Sequence, residues 1–168
     1  EGDVAQMRDL YGRMAERFDN PDWWNNFAFW CRETGTAAEA RGDSDEAQRL
    51  FEASYAAYRR TIALAPDNAR YVNDTGLMLL YHLHRDLDEA ERLFERAWEL
   101  GQAVCDNPFV EDDVHAFNFE AYCDAMLNLA RLHLERSELD SADDVMAQLL
   151  ELAPDRPDVR MTEAAIRN

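Results

Sequence analysis

The stretch "RDLDEAERLFERAW", residues 85–98, decides the fold, because its opening pattern occurs twice more in the chain. "GDSDEA" stands at 42–47 and "SELDSA" at 137–142. Counting from the alanine of each copy, apolar or small residues recur three, four, seven and eight positions on. They are Leu50, Phe51, Ser54 and Tyr55, then Leu93, Phe94, Ala97 and Trp98, then Val145, Met146, Leu149 and Leu150. That spacing lays them on one stripe of an α-helix. In the first two copies an acid precedes an arginine by four residues, Asp45 before Arg49 and Asp88 before Arg92, a spacing that supports a solvated helix face.

A second amphipathic segment lies upstream of each copy, at residues 23–41, 69–84 and about 113–136. Pro66 and Pro154, both in "LAPD", close the helices after the first and third copies, since proline cannot continue a helix. "DNPDWW" opens the first pair with Asp19 or Asn20 as cap and Pro21 behind it.

Two helices repeated in this order resemble the tetratricopeptide repeat, whose pattern is W-x2-L-G-x2-Y, then A-x3-F, then P. Matching residues are Gly35, Ala47 and Phe51, then Gly76, Ala90 and Phe94, then Leu129, Ala130, Ala142, Met146 and Pro154. The resemblance implies an all-α fold, a right-handed α-solenoid of about three helix pairs with a capping helix at each end. The segments are an N-terminal helix (1–20), repeats at 21–66, 67–104 and 123–154, an insert at 105–122, and a capping helix (155–168).

The motif alanines are 43 and 52 residues apart, where the family unit is about 34. In the first interval the surplus extends the second helix, with Tyr58, Ile62 and Ala65 continuing its stripe, and lengthens the helix that starts near Ala69. In the second it forms the insert "CDNPFVEDDVHAFNFEAY", which breaks at Asn107-Pro108 and re-enters helix near Asp112 or Asp113. The insert reads either as a structural connection over a core edge or as an added wall of a binding site. At the flanks, Val4, Met7, Leu10, Tyr11, Met14 and Phe18 share one helical face, and 157–167 form a short helix exposing Arg160, Glu163 and Arg167. The first helix reads as a cap or as the end of a preceding repeat.

Several function classes are excluded by composition. The formal charge is -18 and all 17 basic residues are arginine, which argues against nucleic-acid binding and for a basic or mixed partner. With 47% hydrophobic and 31% charged residues and no long apolar run, the chain reads as soluble and globular, without membrane insertion. It begins at Glu1 with neither start methionine nor signal peptide, which reads as a fragment or a processed chain. Cys31, Cys105 and Cys123 are odd in number and widely spaced, as buried thiols are.

Two catalytic signatures need testing. "DTG" at 74–76 is the aspartic-protease triplet, but that chemistry needs two such loops sharing a proton, and the counterpart is only "ETG" at 33–35. "HRDL" at 84–87 opens a kinase catalytic loop, yet Glu91 stands where the asparagine belongs and the chain has no lysine. His82 and His84 would point about 200° apart on a helix, and the remaining Cys, His and Asp residues lack metal-site spacing. His133 reads as a packing residue, and in "WWNNFAFW" Trp23, Phe27 and Trp30 face a core with Trp24 and Phe29 outside it. We therefore expect no catalytic residues, no metal and no cofactor.

By the resemblance, the first helices of the repeats line a concave groove that takes an extended peptide or a partner helix. Carried over, the groove includes Phe29, Arg32 and Thr36, then Asn73, Leu77 and Leu80, then Asp124, Leu127 and Arg131. Asn73 is expected to bind a peptide backbone, and Leu77, Leu80 and Leu127 to make apolar contact. Family members that clamp a terminal carboxylate use a lysine-rich groove, which this chain lacks. The implied function is a non-catalytic protein-interaction scaffold, with self-association of a homo-oligomer as the alternative.

Overall fold

The computed structural model describes residues 2–166, and every regular element among them is helical. The order is α1 (Gly2–Phe18), α2 (Pro21–Ala40), α3 (Ser44–Leu64), α4 (Ala69–Met78), a π-helical turn (Leu79–Leu83), α5 (Leu87–Cys105), α6 (Asp112–Glu135), α7 (Leu139–Leu152) and α8 (Pro157–Ile166). Among the described residues no helix is long and apolar enough to cross a membrane.

Helix starts follow local chemistry. Asn20 caps α2 by accepting from the Asp22 backbone N–H at 2.8 Å, with Pro21 in the first turn where a missing N–H costs nothing. Asp43 caps α3 through the Glu46 N–H at 3.1 Å and Asn68 caps α4 through that of Tyr71 at 3.2 Å. Each copy of the six-residue motif begins on a left-handed turn, which the chain makes with Gly42, with His84 and Asp86, and with Ser137. Only the first copy spends a glycine there.

The chain forms two compact units that divide between Arg85 and Asp86. In the first, α1 packs on α2, α2 on α3, and α3 on α4 and the π turn. Its interior holds Ala28, Cys31, Phe51, Tyr58, Val72, Met78 and Leu79. Buried Ser54 joins three helices by donating its Oγ hydrogen to the Ala28 carbonyl at 2.8 Å beside Met78. In the second unit α6 packs against α5 and α7, and α8 lies on both α6 and α7. Phe94, Met126, Leu132, Met146, Leu149 and Val159 fill its interior.

Several details depart from the sequence reading. The segment at 69–84 is not one α-helix, because its last turn widens to π geometry and accommodates extra chain without lengthening the helix proportionately. Arg49 pairs with Glu46 rather than Asp45, and Asp88 with Arg136 of α6. In α3 the buried continuation of the stripe is Tyr58 and Thr61, with Ile62 and Ala65 only half-buried. On α1 Ala15 is fully buried, whereas Leu10 and Phe18 remain exposed. All five aromatics of "WWNNFAFW" are half-buried. Trp24 is held by donating its indole N–H to Asp19 at 2.9 Å, and Trp23 leans on Tyr11 at 5.7 Å. At the end of the chain Arg160 is exposed, Glu163 is half-buried and paired with Arg160, and Arg167 lies outside the described residues.

Candidate partner-binding surface

The two catalytic signatures lie in structure unsuited to them. Asp74, Thr75 and Gly76 are inside α4, where Thr75 donates its hydroxyl to the Tyr71 carbonyl at 2.8 Å as a helical threonine does. His84 and Asp86 form the left-handed turn between the π segment and α5. Burial pushes the Cys31 thiol up to about 12 and raises Cys105 and Cys123 as well, the opposite of what an activated thiol needs.

On α2, Arg32 runs along the helix surface, donating to Glu33 at 3.1 Å with its guanidinium 5.0 Å from the Phe29 ring. Phe29 in turn meets Trp30 edge to face at 5.1 Å. Thr36, one turn on, is exposed. Beside α2 stands α4, tied to it by a hydrogen bond from the Tyr71 hydroxyl to the Asp22 carboxylate. Leu77 is half-buried on α4, but Asn73 is 2% exposed and Leu80, in the π turn, 5%. Those two offer a partner almost no surface.

Between these helices the sequence reading missed an ionisable cluster. His82 packs its ring on Phe51 at 4.6 Å and 35°. Burial, with the Arg32 charge nearby, pushes its pKa down from 6.5 to about 4, so the imidazole is neutral at ordinary pH. Burial raises the Tyr58 hydroxyl, and the negative charge of Asp74 adds to that shift. Glu33 follows Arg32 on α2, so that pair was available from helical spacing, whereas Asp74 and His82 lie on other elements and come near Arg32 only through the fold.

The third expected group is differently placed. Leu127 is 3% exposed on α6. Asp124 receives a hydrogen bond from Arg156 at 2.7 Å, and Arg131 donates through Nε to the Thr162 hydroxyl of α8 at 3.1 Å. Arg156 also holds Asp158 at 2.7 Å, and these two carboxylates raise its already high pKa further. The C-terminal segment thus engages both charged residues of this third group. Of the nine expected residues, Phe29, Arg32, Thr36 and Leu77 retain partner-accessible surface on the first unit.

Comparison with known proteins agrees with this architecture. The family model "Tetratricopeptide repeat" matches residues 125–160. The N-terminal domain of stress-induced protein-1 (STI-1) from C. elegans superposes with a TM-score of 0.52 at 16% identity, covering 86% of this chain and 98% of that one. The Arabidopsis OM64 TPR domain gives 0.53 at 16% identity, with 83% and 93% covered. No curated protein matches the chain in sequence. Residues 125–160 thus form a tetratricopeptide repeat, and the chain takes the fold of the tetratricopeptide-repeat family.

Proposed function

We propose that this chain is a non-catalytic protein-interaction module that binds a basic or mixed peptide segment, extended or helical, along α2 and α4. The observation that carries this reading is the row of Arg32, Phe29, Thr36 and Leu77 on neighbouring helices of the repeat fold. It offers a cation on an aromatic face, a hydroxyl and an apolar side chain, while Asn73 and Leu80 lie buried. A net charge of -18 favours a partner rich in lysine or arginine and accelerates its encounter.

The test is site-specific photocrosslinking in cells of the source organism. A photoreactive residue at Thr36 or Leu77 is expected to capture one partner protein, and the adduct should fade when Arg32→Glu is added. The same group at Ala56, exposed on α3, is expected to capture none. Equal capture from Ala56, or adducts insensitive to Arg32→Glu, would retire the α2 and α4 surface. Self-association is supported by Leu139 and Met161, large apolar side chains exposed in the second unit. Light scattering decides that reading, since a mass of one chain at all concentrations excludes it.

A further inference from the structure

The connection from α5 to α6 places apolar side chains in water. Phe109 is 93% exposed, Phe117 48% and Val114 44%. This turn is hydrogen-bonded rather than slack. Asn107 accepts from the Phe109 backbone N–H at 3.0 Å through its side chain and from that of Val110 at 3.3 Å through its carbonyl. The beginning of α6 is equally ordered from within, by stacking of His115 on Phe119 at 6.4 Å and 9° and by Phe119 against Tyr122. Its inner face is therefore satisfied, and Val114 and Phe117 point elsewhere.

Helical geometry sets what surrounds them. At about 100° per residue, Val114 and Phe117 lie about 60° apart, and Asp113 and Glu120 lie about 40° and 60° beyond Phe117. Asp106, Glu111 and Asp112 add three more acids along the turn, and the sequence has no arginine or lysine between Arg96 and Arg131. Arg156 lines one pocket with Glu120 and Asp124 and pairs with Asp124 and Asp158. An apolar patch with a predominantly acidic rim is an interaction surface whose partner's charge is specified.

A second copy of the chain would set five acids against five, and an anionic lipid surface would be repelled in the same way. We infer that the 105–122 insert is a docking site for a basic amphipathic helix of another protein. Apolar side chains of that helix cover Phe109, Val114 and Phe117, while its flanking lysines or arginines face Asp113, Glu120 and the acids of the turn. The site lies wholly in the second unit and does not depend on the α2 and α4 surface.

The probe is a fluorescein-labelled peptide of leucine and lysine, about five helical turns long, with the leucines on one face. Its partner is a scramble of identical composition, and both are titrated with the full chain by fluorescence anisotropy. The patterned peptide is expected to bind at least about tenfold more tightly than the scramble. Phe109→Ser with Val114→Ser, both at exposed positions, should abolish that preference while leaving the circular-dichroism melt unchanged. Glu111→Gln with Asp113→Asn should weaken binding of the patterned peptide and flatten its salt dependence, and Ala56→Ser, at an exposed position on α3, should not change it. Equal affinity for the two peptides, a preference that survives the serine variant, or affinity indifferent to the charge variant overturns the proposal.

Discussion

His82 shows how one residue ties stability to the candidate surface. Its ring is stacked on Phe51 and its pKa is depressed from 6.5 to about 4, with burial the main cause and the Arg32 charge the next. As pH falls through 6.5, an unfolded chain takes up a proton that the folded chain refuses. This histidine therefore lowers stability progressively between about 6.5 and about 4, and contributes no penalty above that window. Phenylalanine keeps the stacked ring and removes the titration. We expect the Tm to drop less between about pH 7 and about pH 5 in His82→Phe than in the native chain. Proton NMR of the native His82 ring should titrate with a midpoint near 4. Parallel melting curves for the two proteins would show that other groups carry the acid sensitivity. The sequence placed His82 on a helix, but only the fold shows that its neighbours are Phe51 and Arg32.

At the scale of helices, the closeness of a pair depends on what its glycines face. Gly35 was legible as the small residue of the motif, and a Cβ there would meet the Phe51 ring at 2.7 Å. Gly101 belongs to no motif, yet a Cβ there would lie 2.8 Å from Tyr122 Cβ and 3.0 Å from Tyr122 Cα. A ring can tilt by a few tenths of an ångström. A backbone Cα moves only with its helix. Each alanine substitution gains about 1 kcal/mol of helix propensity and incurs an overpacking cost of about 1–3 kcal/mol. We expect Gly101→Ala to lower Tm clearly and more than Gly35→Ala, and calorimetry of both variants decides it. A Gly101→Ala protein as stable as the native one would mean that α5 and α6 can separate without cost.

The same scale explains what was readable in advance. Repeated "DEA" motifs, prolines and caps gave the helix order, because each has a local physical cause. The π turn and the left-handed His84 and Asp86 carried no such signal, being made by ordinary residues. In α6 the run from Ala121 to Ala130 is buried except for the half-buried Asp124, so no single stripe marks an inner face. That is why Leu127 read as a contact residue although it is packed away. The intramolecular contacts of Asp124 and Arg131 were hidden for another reason, since their partners on and just before α8 lie about 30 residues downstream and cannot be reached by helical periodicity.

For the molecule as a whole, charge sets both stability and association, with opposite responses to salt. Its 35 acids outnumber 17 arginines, so long-range repulsion acts over each unit at all times. Attraction is concentrated in short contacts such as Arg136 with Glu91 at 2.6 Å and Arg156 with Asp124 at 2.7 Å. Raising ionic strength from about 0.01 to about 0.15 M shortens the screening length from about 30 to about 8 Å. Repulsion across tens of ångströms is then removed, while contacts under 3 Å keep most of their strength. We expect the Tm to rise by a few degrees over that range, followed by calorimetry at fixed pH. A basic partner approaching from outside loses the attraction that steered it, so its association rate must fall in the same titration. A falling Tm would mean that arginine pairs, rather than the excess of acids, dominate the electrostatics. The acidic excess would then be no burden on the fold, and its one remaining role would be to select the partner.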